Sequence, residues 1–349
     1  MKTIDNIFDK IVSLENLEEA TRKAMKGKRK RDNVQYFILN NKDNKLLKEL
    51  QQQLIQGTYK VSDYQCFVIY KPKERIISRL PFYPDRIVQH AVVNVLLDYW
   101  ESLLHRNTFA CVRNRGVLGK EGLHNAVKTE LYNKERKWSY CLKMDIHHYY
   151  NNIDHDVLKN ILSKQIKDQR TLLLLYKIID SFHSDEGYYK GLPIGSILSQ
   201  YISNIYLLRF DYNLKKHFKH VKFFRYNDDM IILSNNKEEL HRVLDYTKNI
   251  LSSKYKLQLK KNYQIFPIEK RGIDVGGFVY NKGWTLLRRR IKYNIIRKAN
   301  KCNLRWGVKD IYNNCNKPFN IYFAGYKGLL QHCDSVHLVQ KINHIPMNR

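Results

Sequence analysis

The chain has no run of apolar residues approaching the roughly 20 that a membrane span needs. Its densest stretch, Leu172, Leu173, Leu174 and Leu175 followed by Ile178 and Ile179, is far shorter. The N-terminus is polar and shows no apolar core of a secretory leader. Cysteine is scarce, with six in 349 residues. None is spaced C-x-x-C, which points to reduced thiols in a cytoplasmic protein. A zinc site assembled from Cys302, Cys315, His332, Cys333 and His337 would match no common ligand spacing. The phosphate loop G-x-x-x-x-G-K-[ST] is missing even from the basic, glycine-bearing segment 107–123, so an ATPase is unsupported. Arg113 and Arg115 in that segment are candidate template contacts. The largest shortage is of acid: 33 Asp and Glu face 62 Lys and Arg, a formal net charge of +29. That excess goes beyond what solubility requires and favours a polyanionic partner, nucleic acid rather than membrane.

Against this shortage, two adjacent acids stand out. Residues 222–235 read KFFRYNDDMIILSN, with Asp228 and Asp229 between two apolar, β-prone runs. Two such runs around a short polar pair predict a β-hairpin with the aspartates at its tip. Carboxylates held there repel each other unless a cation lies between them, and Mg²⁺ takes carboxylate and phosphate oxygens. A solvated turn is the plainer reading, but the flanks look like buried strands. Upstream, residues 138–146, WSYCLKMDI, alternate with period two and place Asp145 at a strand end. A strand-end Asp with a hairpin Asp-Asp is the donor set of a two-metal phosphoryl-transfer site.

The remaining chain fills in around these. Residues 1–60 carry apolar residues at helical spacing, interrupted by RKAMKGKRKR at 22–31. That run is either a solvated face or a phosphate contact, and the net charge favours the second. Residues 64–70 read as a strand, followed by a basic turn holding Lys71 and Arg75 and by a helix with Val92, Val93, Leu96 and Leu97 on its apolar side. His147 and His148 are adjacent and converge poorly on one ion. Asp154 is placed to cap the next helix. Gly195, Ser199 and Ser203 fall at i, i+4 and i+8, which predicts a small-residue stripe on one helix face open to a bulky neighbour. Residues 288–298 form a basic helix, preceded by the turn glycines Gly276 and Gly277.

Tyr226-Asn227-Asp228-Asp229 with Asp145 upstream resembles the palm of reverse transcriptases, whose hallmark is Tyr-x-Asp-Asp. The other blocks follow in that family's order over residues 20–340. The resemblance implies an α+β right-hand polymerase fold with an antiparallel palm sheet. It divides the chain into an N-terminal helical extension (1–62), fingers intertwined with the palm (63–137), the palm (138–283) and a basic helical thumb (284–349). Asp145, Asp228 and Asp229, with the backbone carbonyl of Ile146, would hold two Mg²⁺, or Mn²⁺ in their stead. Arg75 and Lys71 would hold the triphosphate. Tyr150 would exclude the 2′-OH, with Ile194 and Gly195 beside the incoming nucleotide. Ser199, Gln200, Tyr226, Gly276, Gly277, Arg288, Arg289 and Arg290 would contact template and primer. The family's lysine-bearing strand aligns near Tyr263, with Lys260 and Lys261 slightly early, which leaves a general-acid lysine doubtful.

Most of the family reads Gln-Gly-x-x-x-Ser-Pro at the block where this chain has Ile194-Gly195-Ser196-Ile197-Leu198-Ser199-Gln200. The aliphatic and the Ser-Gln resemble the reverse transcriptases of diversity-generating retroelements. That resemblance implies an adenine-mutagenic copy of a template-repeat RNA for targeted gene diversification, in a bacterial or phage-encoded cytoplasmic enzyme. It also implies a DNA or RNA primer, deoxynucleotides and a small basic accessory variability protein as partners. A retron-like, group II intron-like or phage-defence enzyme is the alternative, and a non-catalytic nucleic-acid binder a more distant one. No endonuclease motif or maturase extension follows the thumb, which is expected to separate the chain from a complete group II intron protein.

Overall fold

The computed structural model describes residues 3–70, 73–136, 138–306 and 317–343, with side chains given for all of these except 302–322. Among the described residues nine strands make three antiparallel sheets. β1 (Gln65–Ile69) and β2 (Arg75–Arg79) pair as a two-stranded ribbon. β3 (Tyr140–Asp145), β4 (Lys222–Tyr226), β5 (Asp229–Ser234) and β6 (Gln264–Pro267) form the central sheet in the order β4-β5-β3-β6. β7 (Ile273–Val275), β8 (Phe278–Asn281) and β9 (Trp284–Leu287) form a separate meander.

The central sheet is covered on both faces, and its sequence follows from that. Successive side chains of a strand leave on opposite sides. Phe223, Met230, Ile232, Leu142 and Met144 enter a large helical core. Phe224, Ile231, Leu233 and Cys141 enter a second core shared with the β7–β9 meander and the C-terminal helices. Both parities must then be apolar, so β4 and β5 read as continuous hydrophobic runs rather than as alternating ones.

The large core also takes up the N-terminal helices. Leu14–Met25, whose first turn is capped by the Ser13 hydroxyl, packs on the helix Ile87–Leu103, and Lys45–Ile55 packs on Leu14–Met25, with Leu17, Ala20, Leu47 and Leu50 all buried. Asn16 Nδ2 donates to both Ile11 O and Ala91 O, which fixes the register of the extension on that helix. Among the described residues no helix is long and apolar enough to cross a membrane. The expected N-cap at Asp154 is present: its carboxylate accepts the Val157 N–H at 3.0 Å.

Candidate active site

The hairpin is as tight as its sequence suggests. Tyr226 pairs directly with Asp229 across β4–β5, so Asn227 and Asp228 are the only loop residues. Asn227 has φ 55°, a left-handed conformation that Asn tolerates better than most residues. On the other side of β5, Asp229 stands opposite Asp145 at the end of β3. The Ile146 amide donates to the Asp228 carbonyl at 3.2 Å and joins the strand end to the loop. Three carboxylates therefore meet at one edge of the sheet because the β3–β5 register puts them there.

Their electrostatics are strained. Burial pushes the Asp229 carboxyl up to about 6, reinforced by Asp145 and Asp228 and opposed by Lys143. Asp228 is raised as well, by burial first and then by the charge of Asp145, with which its carboxyl shares a hydrogen bond. Asp145 Oδ1 and Asp229 Oδ1 are buried and accept no hydrogen bond, as is the neighbouring Asn227 Oδ1. Lys260 Nζ lies 2.6 Å from Asp145 Oδ1, an ion pair without the alignment of a hydrogen bond. Lys260 is held there by its own backbone, whose N–H donates to the Asp145 carbonyl at 2.8 Å. Its position in the sequence, three residues before Tyr263, hid this contact. Among the described residues no three His, Cys, Asp or Glu side chains are gathered closely enough to grip an ion unaided, this triad included. An all-oxygen donor set in which Asp229 Oδ1 has no partner and Asp145 Oδ1 has only Lys260 nevertheless fits a hard divalent cation.

A second charged group braces the hairpin, and no sequence pattern announces it. Arg225, between Phe224 and Tyr226 on β4, is fully buried and forms an ion pair with the equally buried Asp211 at 2.6 Å. Its guanidinium also donates to Asn204 Oδ1 and to the carbonyl of Asn227 at the hairpin tip, each at 3.2 Å. Thr108 Oγ1 donates to Asp211 Oδ2, the same oxygen that Arg225 Nη2 reaches.

Around the triad, Tyr150 lies in the short helix Tyr149–Asn152 and is bonded to Ser203 Oγ at 3.2 Å. Burial raises its hydroxyl to about 12, and the charge of Asp228 adds to that rise. Gly195 has φ 116°, and a Cβ there would come within 3.1 Å of Ile77 Cγ2 on β2. The adjacent Ile194 carbonyl accepts the Ser78 N–H. Thus Ile194 and Gly195 are stitched to the β1–β2 ribbon. Arg75 opens β2 with its side chain exposed, and Gln200 is exposed. Lys71 lies outside the described residues. Tyr226 is half-buried against the second core. Gly276 and Gly277 make the β7–β8 turn, both at positive φ, and Cβ atoms there would press on Val117 and Ile291. Arg288 pairs with Asp274, while Arg289 and Arg290 line a groove of about 700 Å³ along the helix Arg289–Trp306.

Three expectations need correction. Gly195, Ser199 and Ser203 do not share one helix face, because the helix is Ile197–Tyr206 with Ser196 as its N-cap and Gly195 outside it. Ser199 and Ser203 do lie within that helix, but both are buried, so Ser199 offers no surface to a template strand. Arg113 is engaged by Glu101 and Asp98, and Arg115 donates to the His105 and Thr108 carbonyls, so both act within the chain. His147 and His148, for which no shared ion was expected, stack on each other with centroids 4.1 Å apart, and His148 bonds Glu186. Of the cysteines considered for zinc, Cys315 lies outside the described residues.

A four-stranded antiparallel sheet flanked by helices, with three carboxylates at one edge, defines a polymerase palm. The chain belongs to the reverse transcriptase (RNA-dependent DNA polymerase) family, whose match covers residues 69–269. It therefore carries an RNA-directed DNA polymerase domain. It is 24% identical over 294 residues to protein YkfC of Escherichia coli K12, covering 72% of this chain and 74% of that one. It is 27% identical over 171 residues to the group II intron-encoded protein LtrA of Lactococcus lactis subsp. cremoris, covering 47% of this chain but only 27% of LtrA. The fold is shared with apo telomerase from Candida tropicalis at a TM-score of 0.51 and 13% identity, over 88% of this chain and 65% of the telomerase.

Proposed function

We propose that this chain copies RNA into DNA with frequent errors opposite template adenine, as the reverse transcriptase of a diversity-generating retroelement. The observation that carries this finer reading is the side chain at Ile194. It stands at the junction of the β1–β2 ribbon and the palm, half-buried, with its carbonyl bonded to Ser78. An isoleucine there offers shape but no donor or acceptor. Discrimination by apolar shape is worth roughly 1–3 kcal/mol, far less than a polar contact left unpaired by the wrong partner. The restriction of errors to adenine comes from the resemblance at Ile194 to Gln200, not from the physics. The matches to YkfC and LtrA equally accommodate a group II intron-like enzyme.

In this reading Asp145, Asp228 and Asp229, with the Ile146 carbonyl, hold two divalent cations, Mg²⁺ or Mn²⁺. Bound there, such ions activate a primer 3′-OH and neutralise charge on the triphosphate. Arg75, with Lys71, orients the triphosphate through a fork of donors. The Tyr150 ring, fixed by Ser203, fills the space a 2′-OH would need and so selects deoxynucleotides. Gln200, Tyr226, Gly276, Gly277 and Arg288, Arg289 and Arg290 guide template and primer. A small basic accessory protein would be the partner.

The test is sequencing of cDNA made on a defined RNA by the parent and by Ile194→Gln. Excess substitutions opposite adenine in the parent, reduced several-fold in the variant, are expected. cDNA without that excess would return the chain to the ordinary, faithful branch of the family.

A further inference from the structure

Four cations from two distant parts of the chain crowd together beside the β1–β2 ribbon. Lys28 and Arg31 follow the helix Leu14–Met25, upstream of the family-matched residues. Arg79 ends β2, and Arg86 immediately precedes the helix Ile87–Leu103. All four line one cavity of about 130 Å³. From it a groove of about 690 Å³ continues over Lys28 and Arg31 in one direction. In the other, Arg79 and Arg86 also line a cleft with His90, Gly195 and Ser196. The three hollows share lining residues, and the last, a shallow cleft of only about 10 Å³, reaches Gly195.

Among the described residues no acid is ion-paired to this track: none of Lys28, Arg31, Arg79 and Arg86 forms such a pair. The nearby Glu19 is taken by Arg22 and Lys23. Asp85 is buried and turned to Tyr59 and Ser62. Lys28 and Arg86 are half-buried, and each is held below its ordinary range by burial and by the other cations. His90 is lowered to about 4 by burial, Arg86, Lys28 and Lys23, so it stays neutral and can accept or donate. Like charges gathered without counter-charge are unfavourable until an anion arrives. Three of the four are arginines, whose planar forks suit phosphate oxygens.

We propose that Lys28, Arg31, Arg79 and Arg86 form a cradle for the phosphates of single-stranded RNA, the 5′ overhang of the template on its way to Ile194 and Gly195. This rests on the reading of the chain as an RNA-copying polymerase. It adds that the N-terminal extension supplies half of the template track. A phosphodiester strand fits better than a lipid surface because the cations line a concave groove and cavity rather than a flat face, and a bilayer cannot follow that curvature.

The experiment measures the Kd of a labelled RNA template annealed to a DNA primer, with a 5′ overhang of either about 1 or about 12 nucleotides, a length chosen to exceed the track. Wild type should bind the long overhang about tenfold more tightly than the short one near 0.1 M salt. Lys28→Gln/Arg31→Gln, one half-buried and one exposed, should cut that ratio to about threefold and reduce the salt slope by about 1.4, since each cation on a single strand contributes roughly 0.7. The charge-matched control Arg242→Gln/Lys254→Gln, on the exposed side of the helix Lys237–Tyr255, should keep the ratio. An unchanged ratio in Lys28→Gln/Arg31→Gln overturns the cradle, as does an equal fall in the control. Tighter binding of wild type to phosphatidylserine vesicles than to the long-overhang RNA, lost in the variant, would make the surface a membrane contact and also overturn it. Binding is read without nucleotides. A protein that shows the overhang effect but makes no cDNA would refute the polymerase reading and leave the cradle standing.

Discussion

Two charged groups lie within a few residues of each other on the central sheet and are treated in opposite ways. Arg225 and Asp211 are both fully buried, and every strong donor and acceptor between them finds a partner: each other, Asn204, Thr108 and the Asn227 carbonyl. Asp145, Asp228 and Asp229 are less deeply buried yet poorly served. Two of their oxygens accept no hydrogen bond, and among the described residues the triad's one ion pair is that of Lys260 with Asp145. The first group is complete within the chain and serves the fold. The second is left incomplete among the described residues, which is the condition the proposed cation would meet. Burial alone does not distinguish structure from function here; satisfaction does.

The largest effect should come from removing charge in the incomplete group. Asp228→Asn keeps the shape of the hairpin loop but removes an anionic oxygen. Loss of a metal-holding carboxylate costs several kcal/mol in the transition state, or about 10³-fold in rate. Primer extension on RNA with Mg²⁺ should fall by at least that factor, while RNA binding by filter retention stays within about twofold, since a carboxylate repels the polyanion. Extension at the parent rate would mean that Asp228 belongs to the complete group after all.

In the complete group the loss should appear in stability. Arg225→Met strands Asp211 without its cation, a change worth about 3–5 kcal/mol for a buried pair. Urea unfolding followed by circular dichroism should show that drop. Arg225→Met with Asp211→Leu should recover most of it, because two apolar side chains leave no buried charge behind. A double variant no more stable than the single one would mean that the network holds the hairpin by hydrogen-bond geometry rather than by charge balance.

The contrast also explains which parts of the molecule could be read from its sequence. β4 and β5 were legible because burial on both faces writes apolar residues at both parities, and the acids between them could only be a loop. β3 was legible from its alternation. The juxtaposition of Asp145 and Asp229 followed from three strands that must pair. Arg225 and Asp211 were not legible: 14 residues separate them, and a lone arginine inside a hydrophobic run carries no mark of its partner. Lys260 was misjudged because its reach depends on a backbone bond to Asp145, which spacing within its own strand does not reveal. The supposed stripe from Gly195 to Ser203 failed for a local reason. Ser196 accepts the Ser199 N–H as an N-cap, so the count of four had begun before the helix did. The S-x-x-S spacing was the available signal.

The smallest and most discriminating effect concerns pH. Asp229 has a carboxyl raised to about 6 in the folded chain, against an ordinary value near 3.8. Between those two values the folded state holds a proton that the unfolded state has released. By linkage, stability then falls as pH rises through this window, and above about 6 the penalty is fully present. Asp229→Asn removes that penalty because the amide carries no charge to desolvate. In chelator at pH 8 the variant should therefore be more stable than the parent, on the order of 1 kcal/mol once solvent screening is allowed for. The difference should shrink toward zero near pH 4. Histidines that are buried neutral tilt the absolute curve the other way, so the quantity to follow is the difference in Tm between variant and parent across pH 4–8. Millimolar Mg²⁺ should reverse its sign at pH 8, since the parent then gains a bound ion that the variant holds weakly. An Asp229→Asn protein that is less stable than the parent at every pH, with or without Mg²⁺, would show that Asp229 is a satisfied structural residue like Asp211, and the distinction between the two groups would fall with it.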